Sequence, residues 1–386
     1  MGPNSSPAGD LNALRGMNER AVLRILRGGG AFTVAVLAAR TGLTRASVVE
    51  VVNGLIDKGW VAAEAALSQG RGRPARHFRY QGGAGSVIAL DIGAHFVRAR
   101  LADLLGTTLA SASRPVAPEM PRDDRLAAVF SAYEECLERT GTPASQVWLA
   151  VAGTTGLVNE TEGIVVESAA IPDWRGLHLA EALSQRIPGR VFVENDIRLA
   201  ATAELKSGVA SGKSDVLLLY AGYRIGMHVF LGGESYHGHH HLAGDLSRIS
   251  LPLHTMDGVD GDRDGVRWEL RDLSDRTAAG DEIARHGLRE VARDLGTLAG
   301  MAAATLDPEI LVLSGPLVRN ADVVVPALEA GVARYCVQPP FVTVSTLGAE
   351  GVLDGAVVSA LEHLDAMLLA DTSTRVPALS AGAISQ

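Results

Sequence analysis

The sequence predicts an α/β protein in two parts: a small, basic, helix-rich module over residues 11–80, closed by a β-hairpin, and a larger body over residues 86–370 with a duplicated α/β layout. Three observations predict this. Residues 1–80 carry 11 Arg/Lys against 5 Asp/Glu, a net of +6; the whole 386-residue chain is −9, which leaves −15 on residues 81–386. Before residue 60, apolar residues recur at helical spacing between short Gly turns. Beyond residue 86, apolar runs of strand length end repeatedly in Gly-containing loops, the places where open α/β sheets bind ligands.

Taken in order, Met17–Arg27 puts Val22, Leu23, Ile25 and Leu26 on one helical face, and Gly28–Gly30 ends that helix. Thr33 opens a second helix to about residue 40. Thr41-Gly42-Leu43 is a short turn, and Thr44 is a good N-cap for a third helix, ending at Gly59, with Val48, Val52 and Leu55 at core spacing. Helix, helix, Gly turn, helix is the helix-turn-helix pattern. Trp60–Ala66 and the end of the segment running to Tyr80 read as the strands of a wing. Its turn holds Arg71, Arg73 and Arg76 around Pro74. Gly-Arg-Gly-Arg-Pro resembles the core of an AT-hook, and narrow A·T-rich minor grooves attract inserted Arg. The N-terminal part of the third helix is expected in the major groove, with Arg45, Ser47 and Asn53 as its exposed polar candidates. The basic charge of this module on an acidic body points to double-stranded DNA as the partner of the module alone.

In the body, Ser86–Ala110 reads as three strands, the first ending at Asp91. A helix follows at about 122–139, then a buried strand, Val147–Gly156, entering a Gly-rich loop. Arg190–Leu205 is a strand, then Asn195-Asp196, then an Ala-rich helix. Asp215–Tyr236 is a hairpin with glycines at its bend, and Leu306–Val318 is a helix end, a strand and a Gly loop. The body divides into a first lobe, 86–205, and a second, 206–370; residues 371–386 read as a disordered tail. Composition excludes several classes. No run approaches the roughly 20 apolar residues of a membrane span, and the N-terminus lacks a basic-then-apolar leader, so a cytoplasmic protein is expected. Cys136 and Cys336, each expected in or beside a helix and buried, form no C-x-x-C pair.

Ile171–Trp174 with Val193–Ala201, the Leu242–Leu246 segment and Leu306–Val318 together resemble the ROK family, and in particular its repressor branch, which carries such an N-terminal module. The resemblance covers about residues 11–370. It implies an actin/hexokinase-like duplicated ATPase fold preceded by a winged helix-turn-helix. In the kinases of that family the first phosphate loop is Asp-x-Gly-Gly-Thr; here it is Asp91-Ile92-Gly93-Ala94-His95. The second is Gly-Thr-Gly-x-Gly-x-Gly; here it is Gly222-Tyr223-Arg224-Ile225-Gly226-Met227-His228. Phosphate oxygens reach backbone N–H groups only where no side chain intervenes. The resemblance assigns Asp196 as a base, vestigial without a phosphate cradle, and Asn195 as a sugar-hydroxyl partner. Where the family has Gly-Glu-x-Gly-His, this chain has Gly244-Asp245-Leu246-Ser247-Arg248, so Asp245 keeps a carboxylate while Arg248 replaces a zinc ligand and cannot donate a lone pair. Ala170 stands where the family offers an Asn. His237, His239, His240 and His241 read as a solvated loop rather than a metal site.

The resulting expectation is a non-enzymatic transcriptional regulator without metal or cofactor. It would bind DNA through Arg45, Ser47, Asn53, Arg71, Arg73 and Arg76, and a sugar or sugar-derived effector through Asn195, Asp196, Asp245 and Arg248. It would act as a homodimer or tetramer, because two-fold symmetry doubles the DNA site read. The alternative is a sugar kinase with an accessory DNA-binding module. Arg198, Arg224 and Arg248 would either receive an acidic effector or pair with carboxylates of the cleft.

Overall fold

The structure, a computed structural model, describes residues 7–64, 76–222, 225–239, 242–246 and 265–370. The N-terminal module comprises α1 (Pro7–Arg27), β1 (Ala31–Thr33), α2 (Val34–Thr41), α3 (Arg45–Asp57), β2 (Val61–Glu64) and β3 (His77–Tyr80). Its helices start where the sequence places their caps. Thr33 accepts from Val36 N–H, Thr44 accepts from Ser47 N–H at 3.1 Å, and Gly42 closes α2 at φ 74°, a conformation that suits glycine. Two details depart from expectation. The first helix begins at Pro7 rather than Met17, and the wing sheet has three strands, ordered β1-β3-β2, because Ala31–Thr33 pairs antiparallel with His77–Arg79.

The first lobe contains β4 (Ser86–Ile92), β5 (Phe96–Asp103), β6 (Thr108–Pro115), α4 (Arg122–Thr140), β7 (Val147–Thr154), β8 (Leu157–Asn159), β9 (Ile164–Glu167), β10 (Leu177–His178), α5 (Leu179–Ser184), β11 (Arg190–Asn195) and α6 (Asp196–Ser207). The second contains β12 (Val216–Ala221), β13 (Ile225–Leu231), β14 (Glu234–Ser235), α7 (Gly265–Ala278), α8 (Glu282–Leu306), β15 (Ile310–Ser314), α9 (Ala321–Val332), β16 (Phe341–Val344) and α10 (Gly351–Ala370). The main sheets run β6-β5-β4-β7-β11 and β14-β13-β12-β15-β16. In each, two antiparallel hairpin steps lead to two parallel additions, so the duplication is visible in topology. Strands β4 and β7 are buried along their whole length because both faces are covered. Ile88, Leu90 and Ile92 pack towards α4, while Val87 and Ala89 pack towards α10.

Helix α10 lies in residues 206–370, yet it returns to the first sheet and joins the core of Val87, Ala89, Leu149 and Val151. Helix α6 does the reverse: Ala201 and Leu205 pack with Val216, Leu218 and Val312 of the second sheet. The two helices cross between the lobes. The N-terminal module is continuous with the same core. Trp60 stacks on Tyr80 and meets Trp148 of β7 edge-on at 5.7 Å, and Arg27 lies over the Tyr80 ring at 5.6 Å and ion-pairs with Asp365 of α10. Cys136 is buried in α4, as expected; Cys336 is half-buried, lies beyond the end of α9, and both are free thiols.

Candidate functional site

A cleft of about 280 Å³ opens between the lobes at the ends of β4, β7 and β11, near the small end of the roughly 300–1,000 Å³ typical of ligand pockets. Asp91, the last polar residue of β4, reaches its floor. The β4–β5 hairpin register sets Asp91 opposite Arg98, and Arg98 Nε donates to Asp91 Oδ2 at 3.0 Å. Burial pushes the Asp91 carboxyl above its ordinary value, and Arg98 opposes that shift. Arg98 also lies 3.5 Å from Glu350, while Arg100, two residues on along the same face, pairs with Glu350 and Asp354. The turn Gly93-Ala94 is held from behind by the fully buried Arg125, which donates to Gly93 O at 2.7 Å and to the Ala117 and Pro118 carbonyls. That turn stands where the resemblance places the first phosphate loop. Its carboxylate is neutralised by an arginine and its carbonyls are tied to a helix.

The second loop position is closed differently. Strand β13 starts at Ile225, directly paired with Ala221. A Cβ on Gly226 would lie 2.5 Å from Ile197 Cδ1, so the open space beside this glycine is filled by a side chain of α6. His228, further along β13, bonds Ser235 Oγ at 2.8 Å; burial, helped by Arg198 and His237, pushes its imidazole down to about 3, so it is neutral. Tyr223 and Arg224 lie outside the described residues.

Asn195 and Asp196 sit where β11 becomes α6, at the mouth of the cleft. Asn195 is the N-cap of α6: Oδ1 accepts Arg198 N–H at 3.1 Å, and Nδ2 donates to Gly156 O at 2.8 Å. Both of its polar atoms therefore hold the fold. Asp196 lines the cleft half-buried and accepts from Ile197 N–H at 2.9 Å. Asp245 lies on the opposite wall, exposed, on the segment that Gly244 ties to Met227 N–H at 3.0 Å. Ala170 is buried in the wall. Arg248 lies outside the described residues, as do His240 and His241. Among the described residues no group of His, Cys, Asp and Glu could hold a metal.

Sequence reasoning noted Arg198 but missed its partner, Glu160, and missed Arg98. Arg198 turns inward and is buried, and it forms an ion pair with Glu160 of the β8–β9 turn. Burial outweighs that partner and lifts the Glu160 carboxyl to about 7. Of the three arginines noted in the sequence, the one described here is thus already matched internally. The described lining holds Asp91, Glu160, Glu167, Asp196 and Asp245 against Arg98 and Arg198, an acidic surplus that disfavours an anionic ligand. The hairpin register could have signalled Arg98; nothing local signalled Glu160 or Arg125, and nothing local signalled that His228, noted for its bulk, would be buried against Ser235.

On the module, the exposed positions of α3 are Arg45, Ala46, Val49, Glu50, Asn53 and Asp57. Ser47 is half-buried, and its hydroxyl lies 2.9 Å from Thr44 Oγ1, so it supports the helix start. Arg76 is exposed, with its guanidinium 5.9 Å from the Phe78 ring centre; Arg71 and Arg73 lie outside the described residues.

Residues 87–266 match the ROK family and residues 16–72 the MarR family. The chain is 22% identical over 352 residues to the DNA-binding transcriptional dual regulator NagC of Escherichia coli, covering 83% of this chain and 86% of that one. It is 26% identical over 296 residues to a glucokinase of Streptomyces coelicolor, covering 66% and 89%. A solved ROK family transcriptional regulator, a homologue of the Escherichia coli Mlc protein, superposes with a TM-score of 0.73 at 20% identity over 94% of this chain and 99% of its own. A match spanning 94% of the chain extends beyond the body into the N-terminal module.

Proposed function

We infer that this chain, which belongs to the ROK family and carries a MarR-type winged helix-turn-helix in front, is a DNA-binding transcriptional repressor whose kinase-like body is a non-catalytic effector receptor. The observation that carries the reading is one molecule holding both a docked helix-turn-helix module and a cleft whose two phosphate-facing positions are closed from within, by Arg98 on Asp91 and by Ile197 on Gly226. The rival reading, a kinase with an accessory module, needs both positions open.

The DNA-contacting set is Arg45 and Asn53 on α3, with Arg71, Arg73 and Arg76 on the wing; Ser47 serves the N-cap. In the cleft, Asp196 and Asp245 face the effector, with Arg248 beside Asp245 in sequence, while Asn195 positions α6. The acidic lining favours a neutral polyol or sugar. Helix α10 connects the two functions. Val352 in its first turn lines the cleft, and Glu350 and Asp354 hold Arg98 and Arg100. About 20 Å away, at 1.5 Å per residue over the 13 residues from Val352 to Asp365, the helix packs on the module through Leu364 and Asp365. An effector that shifts the lobes would move α10, and with it the DNA-reading helices of a homodimer or tetramer in the cytoplasm.

The test is selection of binding sites from random duplex DNA by the full chain. A two-fold symmetric site should emerge, and Arg45→Ala should weaken it by about 1–3 kcal/mol without changing thermal stability. A chain that selects no sequence, or that turns over ATP in the presence of a hexose, refutes the reading.

A further inference from the structure

We propose that α3 reads thymine C5-methyl groups in the major groove through Ala46 and Val49, an inference that rests on the DNA-binding reading above. Helix α3 buries Val48, Val51, Val52 and Leu55 against the module's core. At about 100° per residue, the exposed positions Arg45, Ala46, Val49, Glu50, Asn53 and Asp57 fall in a separate arc of roughly 140°. Val49 is 44% exposed, near the middle of that arc, one helical turn from Ala46.

The polar groups on this face are fewer than the sequence promises. Ser47 is spent on the cap, which leaves one guanidinium, one amide and two carboxylates, Glu50 and, in the last turn, Asp57, around an apolar pair. A β-branched residue at a solvent-facing helical position has neither burial nor helix propensity in its favour. The one apolar feature on a base-pair edge in the major groove is the thymine methyl, and Ala and other small apolar groups are its usual partners. Charge supports the placement. Arg40 and Arg45 are both exposed at the ends of the turn joining α2 to α3, in a module with a net charge of +6, so phosphates would draw this face towards the groove. Glu50, which phosphates repel, would find its match at a cytosine amine beside those thymines.

The experiment takes a tight duplex selected by the full chain and replaces each thymine in turn by deoxyuridine. That change keeps pairing and charge and removes only the C5-methyl. At one or two thymines per half-site, affinity should fall about fourfold, the equivalent of about 0.8 kcal/mol for one buried methyl group. In Val49→Ala, folded as judged by an unchanged melting temperature, one of those losses should shrink below twofold. A tight duplex in which no uracil substitution exceeds twofold, or a penalty that Val49→Ala leaves intact, overturns the inference while the DNA-binding reading stands. A chain that selects no duplex overturns both.

Discussion

Two glycine-to-alanine substitutions should change stability in opposite directions. Gly355 lies in the second turn of α10, where that helix crosses α6. A Cβ added there would stand 1.8 Å from Leu199 O and 2.4 Å from Leu199 C. Both are backbone atoms, so no rotamer change relieves the clash. Restoring an ordinary contact of about 3.4 Å requires the helices to part by roughly 1.6 Å, and the cost of such overpacking is about 1–3 kcal/mol or somewhat more. Alanine's helix preference returns about 1 kcal/mol. Gly355→Ala should therefore destabilise the chain by about 1–2 kcal/mol. Gly54, in α3, would meet only Arg15 Nη2 at 3.5 Å and Glu19 Oε1 at 3.7 Å, both ends of flexible side chains. Gly54→Ala should stabilise by about 0.5–1 kcal/mol. Urea denaturation followed by far-UV circular dichroism, with both variants on the same day, measures the pair. If Gly355→Ala is as stable as the parent, close backbone contact of α6 and α10 is not what joins the lobes.

Glu160 and His228 should leave opposing marks on stability against pH. The Glu160 carboxyl ionises near 4.5 when unfolded and near 7 when folded, so folding retains a proton and stability falls as pH rises across that window, by on the order of 3 kcal/mol at most. The His228 imidazole, about 6.5 unfolded and about 3 folded, contributes stability that is lost as pH falls below 6.5. The two slopes offset each other between pH 4.5 and 6.5. In Glu160→Gln the His228 slope should stand alone, so the urea midpoint should rise from pH 4.5 to 6.5; a slope no steeper than the parent's contradicts the Glu160 shift. Arg27→Met removes the ion pair with Asp365 and the contact over Tyr80. It should leave DNA affinity within about twofold but abolish the change produced by an effector identified in a thermal-shift panel of sugars; an intact response would argue against α10 as the link. A coupled ADP-release assay with common hexoses should detect no turnover, and activity lost in Asp196→Asn would restore the kinase reading.

The DNA-binding module was largely legible in the sequence because its signals are local. Thr33, Thr44 and Gly42 act on backbone groups within four residues, and Val48, Val52 and Leu55 share a helical face whatever they pack against. The altered phosphate loops were legible too, since Ala94 and His95 add side chains regardless of surroundings. The sequence also implied that Asn195-Asp196 would stand at a strand end, and it did not show that both polar atoms of Asn195 would be engaged in capping α6 and holding Gly156.

What only tertiary structure decided concerns which distant faces meet. Arg198 and Glu160 are 38 residues apart, and their pairing depends on how the β8–β9 turn folds over α6. Trp60 and Trp148 find each other only once the module docks, and Arg27 finds Asp365 only because α10 crosses back to the first sheet. Caps, helical faces and loop bulk follow from short-range sterics and hydrogen bonding, which any stretch of chain carries with it. The burial that lifts Glu160 to about 7 and keeps His228 neutral belongs to no stretch of sequence; it arises where several elements exclude water together.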